Sequence, residues 1–214
     1  DRTSQAQLAA QPLTGFSVSA ANIYNPFGRT INGAQFRPTS VPRDFNADSA
    51  TWRFAGGFEG SFDLFGRNWS WDASYTYSEN KLSLNKHGFF NAFSFADATG
   101  PSFIDAGGHP TCGTPAAPID GCVPFNVFGG PTGFTHDMLT GVLVAPHDVS
   151  QDKLTVYSAN ITGDIVELPA GPLGFAAGYE YRREFGFNEP DPLTVAGGVL
   201  GDNPSEPTSG GFSL

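Results

Sequence analysis

The chain has 214 residues, a formal net charge of −10 and only 15% charged residues. The acidic balance argues against nucleic acid as a partner, which needs a basic footprint, and no run of about 18 apolar residues offers a transmembrane helix. With 27 Gly, 17 Pro and 20 Phe against one Met, the composition favours turns and strands over helices. No secretory leader pattern stands ahead of Asp1, so the chain reads as cytosolic, already processed, or a piece of something larger.

Residues 1–50 show no strong period and read as loop with one irregular strand. The pattern sharpens at Thr51. In TWRFAGGFEGSFDL (51–64), Trp52, Phe54, Phe58, Phe62 and Leu64 share one parity, and Arg53, Glu59 and Asp63 share the other. Successive side chains of an extended chain point to opposite faces, so this predicts a strand longer than those of ordinary globular sheets. FGRN (65–68) is a short turn. WSWDASYTYSEN (69–80) then puts Trp69, Trp71, Tyr75 and Tyr77 on one face and Ser and Asp on the other. The two segments predict an antiparallel hairpin.

The period disappears over residues 81–148, a Gly- and Pro-rich loop too long to lack a purpose. It holds the two cysteines of the chain, Cys112 and Cys122. Neither stands at zinc-finger spacing from a His or Cys. A disulfide is favoured over two free thiols, and it implies an oxidising compartment. Seven loop aromatics, Phe89, Phe90, Phe93, Phe95, Phe103, Phe125 and Phe128, either pack the loop on itself or line a ligand mouth. Alternation returns over 153–168, where Tyr157, Ala159, Ile161, Gly163 and Ile165 share a face. Leu154 and Val156 have the other parity, which predicts a bulge nearby. PAGPL (169–173) is the next short turn. In LGFAAGYEYRREFGF (173–187), Phe175, Tyr179 and Tyr181 oppose Glu180, Arg182 and Glu184. The tail after Phe187 is again loop-like.

A soluble sandwich also alternates, but its core would draw on Val, Ile and Leu as much as on aromatics. Here Trp, Phe and Tyr alternate with Gly and Ala, and short turns at one end oppose long loops at the other. Outer-membrane barrels have that arrangement, with aromatic girdles at both interfaces. The periodicity therefore favours an all-β, antiparallel transmembrane barrel wall, with the soluble sheet as the alternative. Its lipid-facing set is Trp52, Phe54, Phe58, Phe62, Trp69, Trp71, Tyr75, Tyr77, Phe175, Tyr179 and Tyr181. Its lumen-facing charges are Arg53, Glu59, Glu180, Arg182 and Glu184. Arg183 alone breaks the rule, where the fourth strand should leave the bilayer.

Several segments resemble the barrel domain of TonB-dependent receptors of Gram-negative bacteria. VELPAGPLGFAAGYEYRREFGFNEPDPL (166–193) is similar to a recurrent hairpin of that family, a Leu-Pro-Ala-Gly turn leading into Gly178, Glu180, Tyr181, Arg182 and Glu184. GCVPFNVFGG (121–130) and YNPFG (24–28) resemble two of its Phe-Gly elements. The resemblance implies a 22-stranded barrel in the cell outer membrane, with an N-terminal plug inside it. It implies energised uptake of a scarce nutrient through TonB acting on the plug. Its partners would be outer-membrane lipid, the remaining strands and plug, TonB, and a ligand that the sequence does not name: siderophore, vitamin, sugar or peptide. No plug, no TonB-contacting segment and no closing C-terminal strand is expected within these 214 residues, so the chain reads as an internal barrel segment.

Catalytic chemistry is not expected. There is no Gly-x-Ser-x-Gly elbow. His87, His109, His136 and His147 read as exposed loop histidines rather than ligands, and no cofactor or metal site is expected. Glu180, Arg182 and Glu184 read as a charge ladder with cross-strand partners. The Gly-rich stretch 197–211 reads as loop rather than phosphate cradle. A passive porin-like channel and a soluble adhesin- or lectin-type module are the alternative functions.

Overall fold

The computed structural model describes residues 2–130 and 133–214. Its elements are β1 (Arg2–Leu8), β2 (Leu13–Val18), β3 (Ile31–Phe36), β4 (Arg43–Leu64), β5 (Arg67–His87), β6 (Phe89–Asn91), α1 (Ala92–Ala98), β7 (Ser102–Ile104), β8 (Pro110–Thr114), β9 (Ala117–Pro118), α2 (His136–Val142), β10 (Leu143–Val144), β11 (His147–Leu168), β12 (Gly171–Glu189), α3 (Pro192–Val195), β13 (Val199–Leu200) and β14 (Thr208–Ser213). The described residues are all-β in character, with antiparallel sheets and three short helices among them.

The main sheet has six strands in the order β1-β4-β5-β11-β12-β14. Its four central strands run 22, 21, 22 and 19 residues, far beyond the five or six usual in globular proteins. Two-residue turns close β4–β5 and β11–β12 at one end. Phe65 and Gly66 both have positive φ, 54° and 72°, the twist that a tight hairpin demands. The three other connections, residues 9–42, 88–146 and 190–207, are long and gather at the opposite end. The six strands form an open sheet, not a closed barrel.

Those long connections build the only hydrophobic core found among the described residues. Leu13, Val41, Phe90, Phe95, Ala98, Cys112, Phe125, Met138 and Val142 are buried together. Phe95 and Phe125 stand 5.3 Å apart edge to face, and Phe125 stacks on Phe134 at 5.3 Å. Asn91 caps α1 by accepting from the amides of Phe93 and Ser94, and Thr135 caps α2 through Met138 N–H, the usual service of such residues. Buried Asn22 donates to the carbonyls of Ala98 and Gly100, tying the first connection to the second. Gln11 donates to Gly201 O, tying it to the third.

Several expectations need correction. Residues 1–50 hold three strands and the start of a fourth rather than loop with one strand. The strands expected at 69–80 and 153–168 extend to Arg67–His87 and His147–Leu168, so the loop of 81–148 shrinks to 88–146. The tail carries α3, β13 and β14, and β14 pairs with β12 where no terminal strand was expected. The β11 ladder to β12 runs unbroken from Val149 to Asp164, and its irregularity falls between Asp164 and Val166 rather than beside Leu154. Of the histidines, His87 ends β5, His136 starts α2 and His147 starts β11, leaving only His109 in a loop.

Candidate functional site: a two-faced sheet under a loop cap

Cross-strand register decides which side chains share a face, because directly paired residues project the same way. Reading across β4, β5, β11 and β12 from the short-turn end, the rows are Phe62-Trp69-Gly163-Phe175, Gly60-Trp71-Ile161-Ala177, Phe58-Ala73-Ala159-Tyr179, Gly56-Tyr75-Tyr157-Tyr181 and Phe54-Tyr77-Thr155-Arg183. Trp52 follows, one row higher, opposite Glu79. All eleven aromatics singled out in the sequence therefore lie on one face, and Tyr157 and Ile161 join them.

The glycines between these rings are seats for them. A Cβ on Gly163 would lie 2.3 Å from the Trp69 indole, and one on Gly60 would lie 2.9 Å from that of Trp71. Tyr75, Tyr157 and Tyr181 form a continuous row across three strands, at centroid distances of 4.9 and 6.1 Å. Nothing in the described chain covers this face. Phe58 is 79% exposed, Tyr179 67% and Trp52 59%.

The opposite face is polar. Arg53, Glu59, Glu180, Arg182 and Glu184 all project there, in register with Ser78, Asp72, Ser158, Val156 and Leu154 respectively. Asn160 donates to Asp72 at 2.8 Å, and the Ser74 and Ser158 hydroxyls bond each other at 2.7 Å. The expected cross-strand ladder takes another form. Arg182 contacts Glu180 at 3.4 Å and Glu184 at 3.7 Å along its own strand, because β11 offers Arg182 only Val156 and β5 lies one strand further away. Pairs this exposed contribute little to stability.

At the loop end, Lys86 sits buried between Asp148 (2.6 Å) and Asp202 (2.8 Å). Burial disfavours its charge, yet hydrogen bonds and attraction from the two carboxylates outweigh that and raise its pKa. No local spacing announces this triad, whose members are 62 and 116 positions apart. Cys112 and Cys122 are disulfide-bonded, with Cα atoms 5.5 Å apart, as the sequence suggested. Phe90, Phe95 and Phe125 are buried in the cap core and pack the loop on itself; Phe89 is buried with its ring 5.7 Å from that of Phe45 on β4, Phe103 is half-buried, and Phe93 and Phe128 remain exposed. Phe16, Phe95, Thr14, Ser17, Thr30 and Thr99 line a cleft of about 490 Å³ in the cap. No group of three or more metal-ligating side chains occurs among the described residues.

No helix among the described residues is long and apolar enough to cross a membrane, which leaves crossing by strands untouched. No family model matches the chain, and no similar curated protein or solved structure was found.

Proposed function

We propose that this chain is part of the wall and outer loops of a TonB-dependent outer-membrane receptor, which takes up a scarce nutrient using energy passed through TonB. The observation that carries the membrane reading is the uncovered aromatic face of strands about twenty residues long. From Leu64 to Phe54, β4 rises about 33 Å along its axis at roughly 3.3 Å per residue. At a tilt near 40° that is about 25 Å of height, the apolar band of an outer-membrane barrel. A soluble protein would leave these rings in water, at a cost on the order of 25 cal/mol per Å². The polar face becomes the lumen wall, and the disulfide-pinned cap lies outside the cell, where disulfides persist.

Open sheet edges do not survive in hydrocarbon. β1 pairs only with Arg43–Ser49 of β4, and β14 only with Arg183–Asn188 of β12, so the membrane-level halves of β4 and β12 lack outer partners in this sheet. Further strands complete the ring at both edges. The receptor reading, as against a passive channel, rests on the hairpin and Phe-Gly resemblances and on the size of the cap.

Single cysteines replacing Phe58 and Ser74, in a full-length chain whose Cys112 and Cys122 are serine, carry a bimane label into vesicles containing brominated lipid. Quenching at 58 and not at 74 is expected. Equal, weak quenching at both refutes the membrane reading. Uptake that persists in cells lacking TonB refutes the receptor reading and leaves the passive channel.

A further inference from the structure

We infer that the aromatic face carries a binding site for the phosphate of an anionic lipid headgroup, built from Lys153 and Arg183 at the loop-side edge of the apolar band. The inference rests on the membrane reading above. Immediately above the Tyr75-Tyr157-Tyr181 row come Thr155 and Arg183, and above those come Glu79, Lys153 and Phe185. Lys153 and Arg183 are thus diagonal neighbours on adjacent strands, a spacing within reach of long side chains. Together with Tyr77, Thr155 and Phe185 they line a cleft of about 270 Å³.

Glu79 stands directly opposite Lys153 and attracts it, but its hydrogen bonds go to other groups. Glu79 Oε2 accepts from the Tyr77 hydroxyl at 2.7 Å, and Oε1 takes Lys81 at 3.0 Å and the Gln151 amide. Neither Lys153 nor Arg183 has an ion-pair partner among the described residues. Within the two rows that hold Lys153 and Arg183 the two cations face one carboxylate, Glu79, in a chain whose total is −10; the next acids on this face, Asp48 and Glu189, lie two rows nearer the cap. A positive patch with unpaired donors, directly over a tyrosine row, is complementary to an amphiphile with an anionic head and apolar tails. The guanidinium offers a fork of donors matched to phosphate oxygens, and the ammonium adds a point charge. The apolar rows below select a lipid over free phosphate, because only a lipid has chains to lay against them.

The test uses the full-length protein in mixed vesicles with spin-labelled phosphatidylglycerol or phosphatidylcholine. Selectivity for the anionic probe is expected. Lys153→Gln with Arg183→Gln should reduce it about 25-fold, since each basic residue near an anionic surface is worth about a factor of five. Arg53→Gln with Arg182→Gln, on the opposite face, should leave it unchanged. Equal loss from both pairs, no selectivity in a protein whose residue-58 label is quenched by lipid, or competition by millimolar inorganic phosphate would each overturn the site. A wild-type protein whose residue-58 label is not quenched refutes the membrane reading instead.

Discussion

The sheet and the cap solve the same problem in opposite ways. The cap buries its phenylalanines against one another, with Phe90 and Phe125 fully shielded, as the interior of a soluble domain does. The sheet holds its geometry through long backbone ladders, broken in register only between Asp164 and Val166, and leaves its rings on the outside. One region supplies its own apolar surroundings; on the proposed membrane reading the other takes them from lipid. Both draw on the same residue types, so what separates them is sequence distance. The cap gathers Leu13, Phe90 and Val142 from three connections, whereas each ring row repeats every second residue.

The sharpest way to break the comparison is to hollow the cap. Phe125→Ala removes a ring that touches Phe36, Phe90, Phe95 and Phe134, and should cost about 3–5 kcal/mol. Hydrogen exchange should show lost protection across α1, α2 and β6, while the central β5–β11 ladder stays protected. Loss spread evenly over both regions would mean that the cap and sheet unfold as one unit.

On the sheet, the decisive change is a charge rather than a cavity. Ala159 lies in the middle aromatic row, between Ala73 and Tyr179; Ser158 beside it faces the polar side. Ala159→Arg should cost about 2–4 kcal/mol in denaturant unfolding from vesicles, and Ser158→Arg close to nothing. Equal effects would mean that the two faces share one solvent.

The central strands were legible because their faces contrast sharply, and only over the length where they do. Beyond Asn80 and before Lys153 the ladders continue, but in β5 the apolar residues change face, with Leu82 and Leu84 on the parity opposite to the rings, and Asp148 to Asp152 offers only Val149, so the pattern of the rings stops while the hydrogen bonds do not. β1, with the sequence RTSQAQL, offers no apolar parity at all, and its strand state comes from pairing with β4. Leu154 and Val156 suggested a bulge because apolar residues were assumed to keep one face. In the structure they sit on the polar side, with Leu154 opposite Glu184 and Val156 opposite Arg182. The eleven rings and five charges could be assigned to faces from parity alone. The cap could not, since its contacts join positions as distant as Leu13 and Val142, and only the cysteine spacing and the run of loop phenylalanines hinted at it.

A subtler intervention tests whether the glycines on the aromatic face are seats for rings. Gly163→Ala puts a methyl 2.3 Å from Trp69 and should cost about 1–3 kcal/mol through displacement of the indole. Trp69→Leu has its own cost, but the double variant should lose clearly less than the sum, since the clash needs both partners. Strict additivity in denaturant midpoints would separate the glycine from the ring.

The smallest effect belongs to the rim of the cap. Asp105 Oδ1 accepts from the amides of His109 and Gly107, each at 2.8 Å, at the turn between β7 and β8. The His109 amide chiefly lowers the Asp105 pKa from its ordinary value; burial, next in size, opposes it, and the Gly107 amide and the His109 ring add to the lowering. A carboxylate lowered on folding stabilises the turn at all pH above its unfolded value of about 3.9, and the contribution fades as pH falls through the folded value. Amide shifts of Gly107 and His109 should therefore titrate together with a midpoint below 3.9, and Asp105→Asn should abolish that titration while the disulfide-linked hairpin stays folded. A midpoint at or above 3.9 would mean that the turn does not hold the carboxylate, and that the hairpin owes its shape to Cys112–Cys122 and the core alone.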